Sequence, residues 1–149
     1  MGIEWEGLDE LEQAFAAMVT RVQVATPVVV VTIGALLEGR ARAKLSETSH
    51  ARGTPTPSPP GSPPSLISGA LRSSFEITPP LGTGSGRWTS VLGPTSVYAR
   101  IQELGGDAGR DHASHLPPRP YLKPAYDELE ESGDAREMAS RIWARAVTG

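Results

Sequence analysis

The chain has 149 residues, a formal net charge of −3, no cysteine, and 38% hydrophobic residues with only 5% aromatic. The length favours one domain over 1–149. The missing cysteines exclude disulfide frameworks and thiolate metal sites, and the acidic balance argues against a protein that holds nucleic acid by bulk charge.

The 14 prolines and 16 glycines place part of the chain outside regular elements and imply a small core, so that assembly can supply burial that one copy lacks. Gly2–Glu6 reads as a short extended lead-in anchored by Trp5. Met1–Gly7 carries Glu4 and Glu6 and no basic region, so no secretion signal is expected. From Leu8 onward, Leu8, Leu11, Phe15, Met18, Val19 and Val22 recur at spacings of three and four and form one helical apolar face. Asp9, Glu10 and Glu12 suit the positive end of the helix dipole.

Thr26-Pro27 reads as the N-cap and first residue of a second helix, with one long kinked helix as the alternative. Val28–Val31 suits a strand, but Ile33, Leu36, Leu37, Ala41 and Leu45 continue a helical period, so helix is expected over 28–46. Arg40, Arg42 and Lys44 fit its C-terminal end. The most apolar run, Pro27–Leu37, is shorter than a bilayer requires, and no membrane span is expected.

Ser49–Ser65 is rich in Pro, Ser, Thr and Gly and reads as an irregular, extended loop with few apolar side chains to bury and few contacts to its own subunit. Service as a polyproline ligand for another protein is the alternative. A short helical turn capped by Ser68 follows, then a strand over Phe75–Thr78 stopped by Pro79-Pro80. Gly82–Gly86 is a hairpin-like connection, Arg87–Leu92 the return strand, Gly93-Pro94 a turn, and Val97–Leu104 a third strand or a strand passing into a short helix. Gly106–Leu116 is a polar loop. Four prolines between Pro117 and Pro124 predict a stiff, extended path, with a helix starting at Ala125. Ser132-Gly133 interrupts that helix, and Asp134 caps a last one with Met138, Ile142, Trp143 and Val147 on its apolar side.

The fold class is therefore α+β: N-terminal helices, a small antiparallel sheet of about three or four strands, a C-terminal helix, and a long Pro-rich loop at 49–65. Residues for chemistry are sparse. His112 and His115, with Asp107 and Asp111 nearby, lack a second ligand pair and read as solvated loop residues. Gly82–Gly86 lacks the lysine and the strand–loop–helix setting of a phosphate loop, and no Gly-x-Ser-x-Gly elbow occurs. No catalytic residue, cofactor site or metal site is expected.

Three stretches in order carry a resemblance: Ser68-Gly69-Ala70-Leu71-Arg72-Ser73-Ser74-Phe75, Tyr98-Ala99-Arg100-Ile101-Gln102-Glu103-Leu104-Gly105, and Pro118-Arg119-Pro120-Tyr121-Leu122-Lys123-Pro124-Ala125. Following an N-terminal Gly-Leu-Asp-Glu-Leu helix, this set resembles the neck or tail-completion proteins of long-tailed bacteriophages. Ser68 stands where that family usually has threonine and Tyr121 where it has phenylalanine, and the loops over Thr54–Pro64 and Gly106–Leu116 are longer than its pattern.

The resemblance implies a non-enzymatic virion protein made in the host cytoplasm, one subunit of a connector or tail-completion ring at the head–tail junction. The ring, six copies by the resemblance, would contact other neck proteins and the tail tube or its terminator, and DNA would pass its lumen without sequence-specific binding. A tail-terminator ring is the alternative within the class, and a non-virion binding protein using the Pro-rich loop is the alternative outside it. Arg72, Tyr98, Glu103, Arg119, Tyr121 and Leu122 are the structural or interface candidates. Arg72 and Glu103 are expected to be structural, with Glu103 pairing Arg72 or Arg119 within or between subunits. Arg119–Leu122, held stiff by flanking prolines, is expected to dock on a neighbouring subunit; the alternative is a rigid entry to the last helix, filled by Tyr121 and Leu122, with Tyr121 sealing its own subunit's core.

Overall fold

The computed structural model describes residues 7–54 and 58–148, so the expected lead-in at Gly2–Glu6 lies outside the described residues. One helix organises the chain. α1 runs without a break from Leu8 to Lys44, 37 residues, with Pro27 inside it. The second helix expected to begin at Pro27 is thus a correction: the long-helix alternative holds. A proline in a helix interior removes one ladder bond and costs roughly 3 kcal/mol. Tertiary packing overrides that cost, because α1 is lined along much of its length by other elements. The Thr26 hydroxyl donates to the Val22 carbonyl at 2.8 Å and accepts from Trp143 Nε1 at 3.3 Å, which pins the helix at the proline to its neighbour.

After Thr48 the described residues run irregularly to α2 (Ala70–Ser73), where Ser68 Oγ accepts the Ala70 N–H at 3.3 Å. A long, interrupted hairpin follows. β1 (Phe75–Ile77) pairs antiparallel with β4 (Leu92–Pro94), placing Phe75 opposite Pro94. β2 (Leu81–Gly82) pairs with β3 (Trp88–Thr89), and the glycine-containing turn lies between them. Pro79-Pro80 separates the two ladders, since neither residue can donate to one. Gly93-Pro94, expected as a turn, is strand instead; Pro94 needs no donor there because Thr95 donates to Ser74 at 2.8 Å in its place.

The stretch read as a third strand, or a strand passing into a short helix, carries no strand and is helix α3 over Ala99–Leu104, so the strand is corrected and the short helix stands. Ala, Arg, Gln, Glu and Leu are all good helix formers, and over six residues that propensity outweighs a two-residue alternation. Gly106–Leu116 is not a plain loop: β5 (Gly106–Ala108) and β6 (Ser114–Leu116) pair antiparallel. The strands thus form three separate two-stranded pairs in place of one sheet of three or four, within the α+β class that the sequence indicates.

α4 (Leu122–Ser132) begins three residues before the expected start at Ala125, and Gly133, at φ 76°, turns the chain into α5 (Asp134–Thr148). α5 runs back antiparallel along α1: Arg40 pairs with Asp134 at one end, and Arg21 Nε and Nη2 donate to the Ala146 and Val147 carbonyls at 2.9 and 3.2 Å at the other. Lys44 pairs with Glu128 of α4, and that carboxylate holds the ammonium above its usual range against the opposing effect of burial.

The core lies where α1, α4 and the hairpin meet: Ala41, Leu45, Phe75, Tyr121 and Ala125, with Leu37, Leu71, Leu92 and Leu122 packed around them. Phe75 and Tyr121 meet edge to face, ring centroids 6.2 Å apart, a contact worth about 1 kcal/mol beyond burial. Because Pro27 is carried by packing and not by the ladder, Pro27→Ala is expected to raise unfolding free energy by on the order of 1–3 kcal/mol in urea melts, with unchanged helix content by circular dichroism.

Candidate functional site

The three stretches that carry the resemblance close on one joint. Helix α4 opens with Tyr121 at the N-cap and Leu122, Lys123 and Pro124 as its first three residues. Such a start leaves backbone donors without intrahelical partners. Here one carboxylate takes them. Glu103 Oε2 accepts the Tyr121 and Leu122 N–H groups at 2.8 and 3.0 Å, and Oε1 accepts that of Lys123 at 2.8 Å. Pro124 has no N–H to satisfy, so it fits the third position and does not prevent Lys123 from being helical. The negative charge also sits at the positive end of the α4 dipole.

Glu103 is brought there by α3, and the turn after α3 admits only glycine. Gly105 has φ 70° and ψ −173°, and a Cβ on it would lie 2.8 Å from both the Leu116 carbonyl oxygen and the Pro118 nitrogen. These are backbone atoms that no rotamer change moves. The chain then returns beside α3, where Arg119 N–H donates to the Gln102 carbonyl at 2.7 Å. Within its own chain Glu103 therefore has a structural role, and its partners are amides; the expected pairing with Arg72 or Arg119 inside the subunit is corrected. A carboxylate aimed at a helix start finds three convergent donors, which neither arginine offers from its own place.

Arg119 is buried, 6% exposed, and its Nε donates to the Ser58 carbonyl at 2.8 Å. Ser58, buried within the Pro-rich stretch, bonds Ser65 through its hydroxyl, and Gly61 N–H donates to the Pro118 carbonyl at 2.9 Å. The described part of the Pro-rich loop has no helix or strand beyond a single bridge from Ser49 to Leu66, in keeping with its composition. The expectation of few contacts within its own subunit is corrected: it is clamped on the 118–119 strap.

Tyr121 is 1% exposed and its hydroxyl donates to the Ala99 carbonyl at 3.3 Å. It is a core residue of its own chain, so the expectation that Arg119–Leu122 docks on a neighbour is corrected for Arg119 and Tyr121: the strap's stiffness is used inward, to seal the core. Leu122 packs at the core margin. Arg72 and Tyr98 stand apart from this joint. Arg72 donates to Ser46 Oγ at 2.9 Å, and Arg72 and Tyr98 line a surface groove of about 320 Å³ whose walls include Leu45, Leu71 and Gln102. Tyr98 is 68% exposed and is the one candidate aromatic left open to a neighbour. Across the β5–β6 pair, His115 Nδ1 lies 2.8 Å from Asp107 Oδ1, an exposed cross-strand contact. Sequence reading missed Ser58, since nothing local sets one serine apart in a Pro/Ser run.

Burial, and secondarily the Glu103 charge, push the Tyr121 phenol up to about 12. Unfolded tyrosine ionises near 10, so the unfolded chain loses its proton first as pH rises. Stability from this group is complete below pH 10 and falls between pH 10 and 12, by about 2–3 kcal/mol in all. Urea melts at pH 9 and 11.5 are expected to show that loss in the parent and a smaller one in Tyr121→Phe. The joint itself is tested at neutral pH. Glu103→Ala is expected to cost about 2–3 kcal/mol by leaving three amides unpaired. Gly105→Ala is expected to cost on the order of 3 kcal/mol through strain and overlap. Arg72→Ala, which breaks one exposed bond, is expected to stay within about 0.5 kcal/mol of the parent.

No family model, curated protein or solved structure matches this chain, so its own residues carry the functional reading.

Proposed function

We propose that the chain is a structural virion protein of a long-tailed phage, one subunit of a connector or tail-completion ring that joins the tail to the DNA-filled head, with six copies taken from the resemblance. The observation that carries the reading is the convergence of the three resembling stretches. Phe75 of the first, Ala99, Glu103 and Gly105 of the second, and Arg119, Tyr121 and Ala125 of the third meet in one core and one capped helix start. The resemblance thus follows a physical unit, the joint that orients α4 and α5 against α1. Exposed apolar side chains on α1 add to it: Leu8, Leu11, Phe15 and Val19 are each about half exposed, which suits a subunit completed by neighbours.

Two other uses of the chain draw less support. The described part of the Pro-rich loop is clamped by Arg119 and Pro118, which takes it from the free, extended state of a polyproline ligand. By length and composition α1 as a whole is long and apolar enough to cross a bilayer, with mean hydropathy 1.7 over its best window, although the run Pro27–Leu37 alone is too short. Yet α5 lies along that same stretch, from Asp134 beside Arg40 to Val147 beside Arg21, and carries Arg136, Glu137, Arg141 and Arg145. Each arginine costs roughly 2.5–3.5 kcal/mol at the bilayer centre, so the pair of helices suits water or a protein neighbour.

The reading is tested in particles. Loss of this protein during infection is expected to leave filled heads and free tails that do not join, and restored protein is expected to appear at the junction in particle reconstructions. Joined, infective particles formed without it would overturn the reading.

A further inference from the structure

The outer surface of α1 carries two apolar patches, and they lie on different faces. At about 100° per residue, Leu8, Leu11, Phe15 and Val19 share one face of the first three turns. Farther along, α5 covers that face, but α5 ends beside Arg21, and among the described residues Leu8, Leu11, Phe15 and Val19 stay about half exposed. Val24, Val28 and Val31 lie roughly on the opposite face and are 70%, 55% and 37% exposed. Val24 and Val28 line a groove of about 430 Å³ between α1 and the end of α5, together with Arg21 and Arg145.

Charge distinguishes the two patches as well. The first is flanked by Glu12, one turn from Leu8 and beside Phe15, with Asp9 and Glu10 in the same first turn. The second is edged by two arginines, and Arg21 is held in place by its bonds to the Ala146 and Val147 carbonyls. An acidic apolar helix end and an apolar groove with a basic edge are complementary in both shape class and sign.

We propose that the occupant of the groove is a second copy of this chain: the Leu8–Val19 face of one subunit docks on the Val24/Val28/Arg145 groove of the next. This rests on the ring reading above and gives it a contact surface. The geometry also decides the symmetry. A two-fold contact requires one self-complementary patch. Here the donor and acceptor faces differ in sign and point roughly opposite ways from one helix, so each copy gives one face and receives on the other. Contacts of that kind run head to tail and close into rings or continue as filaments.

The test uses the full chain and its mass in solution, by light scattering and sedimentation equilibrium. Leu11→Asp with Phe15→Asp removes the donor face, and Val24→Asp with Val28→Asp removes the acceptor groove. All four positions are exposed, so circular dichroism and melting are expected to match the parent. The parent is expected to assemble, and each double variant alone to be monomeric. Mixed together they are expected to form a pair of two chains and nothing larger, because only one intact contact is left between them. In a second arm, Glu12→Arg and Arg145→Glu are each expected to weaken assembly, and their combination to restore it. A monomeric parent, a variant that assembles like the parent, or a mixture that stays monomeric would overturn the proposal.

These outcomes separate the surface from the ring reading. A parent that assembles while the variants have no effect sinks the surface and leaves the ring. Assembly through this surface by a protein that particles lack sinks the virion assignment and leaves the contact.

Discussion

The constraint on which the structure depends is the hydrogen-bond requirement of one helix start. α4 has to begin against the core, where Tyr121 is buried, and its first amides have no partners within the helix. One carboxylate from α3 receives three of them, and a proline supplies the position that has no amide to satisfy. Charged acceptors on convergent amides are among the stronger neutral-pH contacts available to a small domain. With α4 oriented, Ala125 and Leu129 bury against neighbouring elements, Gly133 turns the chain, and α5 is laid along α1.

The supports of that joint reach far along the chain. Gly105 allows the backbone at Leu116 and Pro118 to approach within van der Waals limits. Arg119 reaches back to Ser58 and ties a stretch of low apolar content to the fold through polar bonds. This is how a chain with few aromatics and many prolines orders segments that hydrophobic burial alone would leave loose. The prolines of 117–120 act in the same direction, since they restrict the unfolded strap as well as the folded one.

α1 is the complement of this joint. One face of its middle and C-terminal portion packs against α5, α4 and the hairpin, and Gly34 sits over Ile77 there, where even an added Cβ would make ordinary contact at 3.5 Å. Its first turns reach past the end of α5 and keep apolar side chains in solvent. Continuous apolar patches of that kind on a soluble surface mark contact sites. Rigidity is the common theme: a helix kept continuous through Pro27 by its neighbours can project a preformed face.

Much of the architecture was legible in the residues themselves. Period three-to-four spacing located α1 and α5, paired strands followed from Phe75–Thr78 and the glycine turn, and Ser132-Gly133 marked the α4–α5 junction. Composition alone indicated that Ser49–Ser65 would be irregular, and its described part is. These are local matters, decided by side-chain period, by φ and by the absence of donors. Other features depended on partners distant in sequence. Pro27 breaks a helix by local rules, and only packing along α1 decided otherwise. Val97–Leu104 and Gly106–Leu116 are short windows in which two local patterns compete, and in the fold they are a helix and a strand pair packed beside the returning strap. Glu103, Arg119 and Tyr121 stood out as residues in motifs, but their roles as cap, clamp and core were set in three dimensions. A carboxylate's partners are whichever donors the fold brings within 3 Å of it, and no spacing along the chain specifies them.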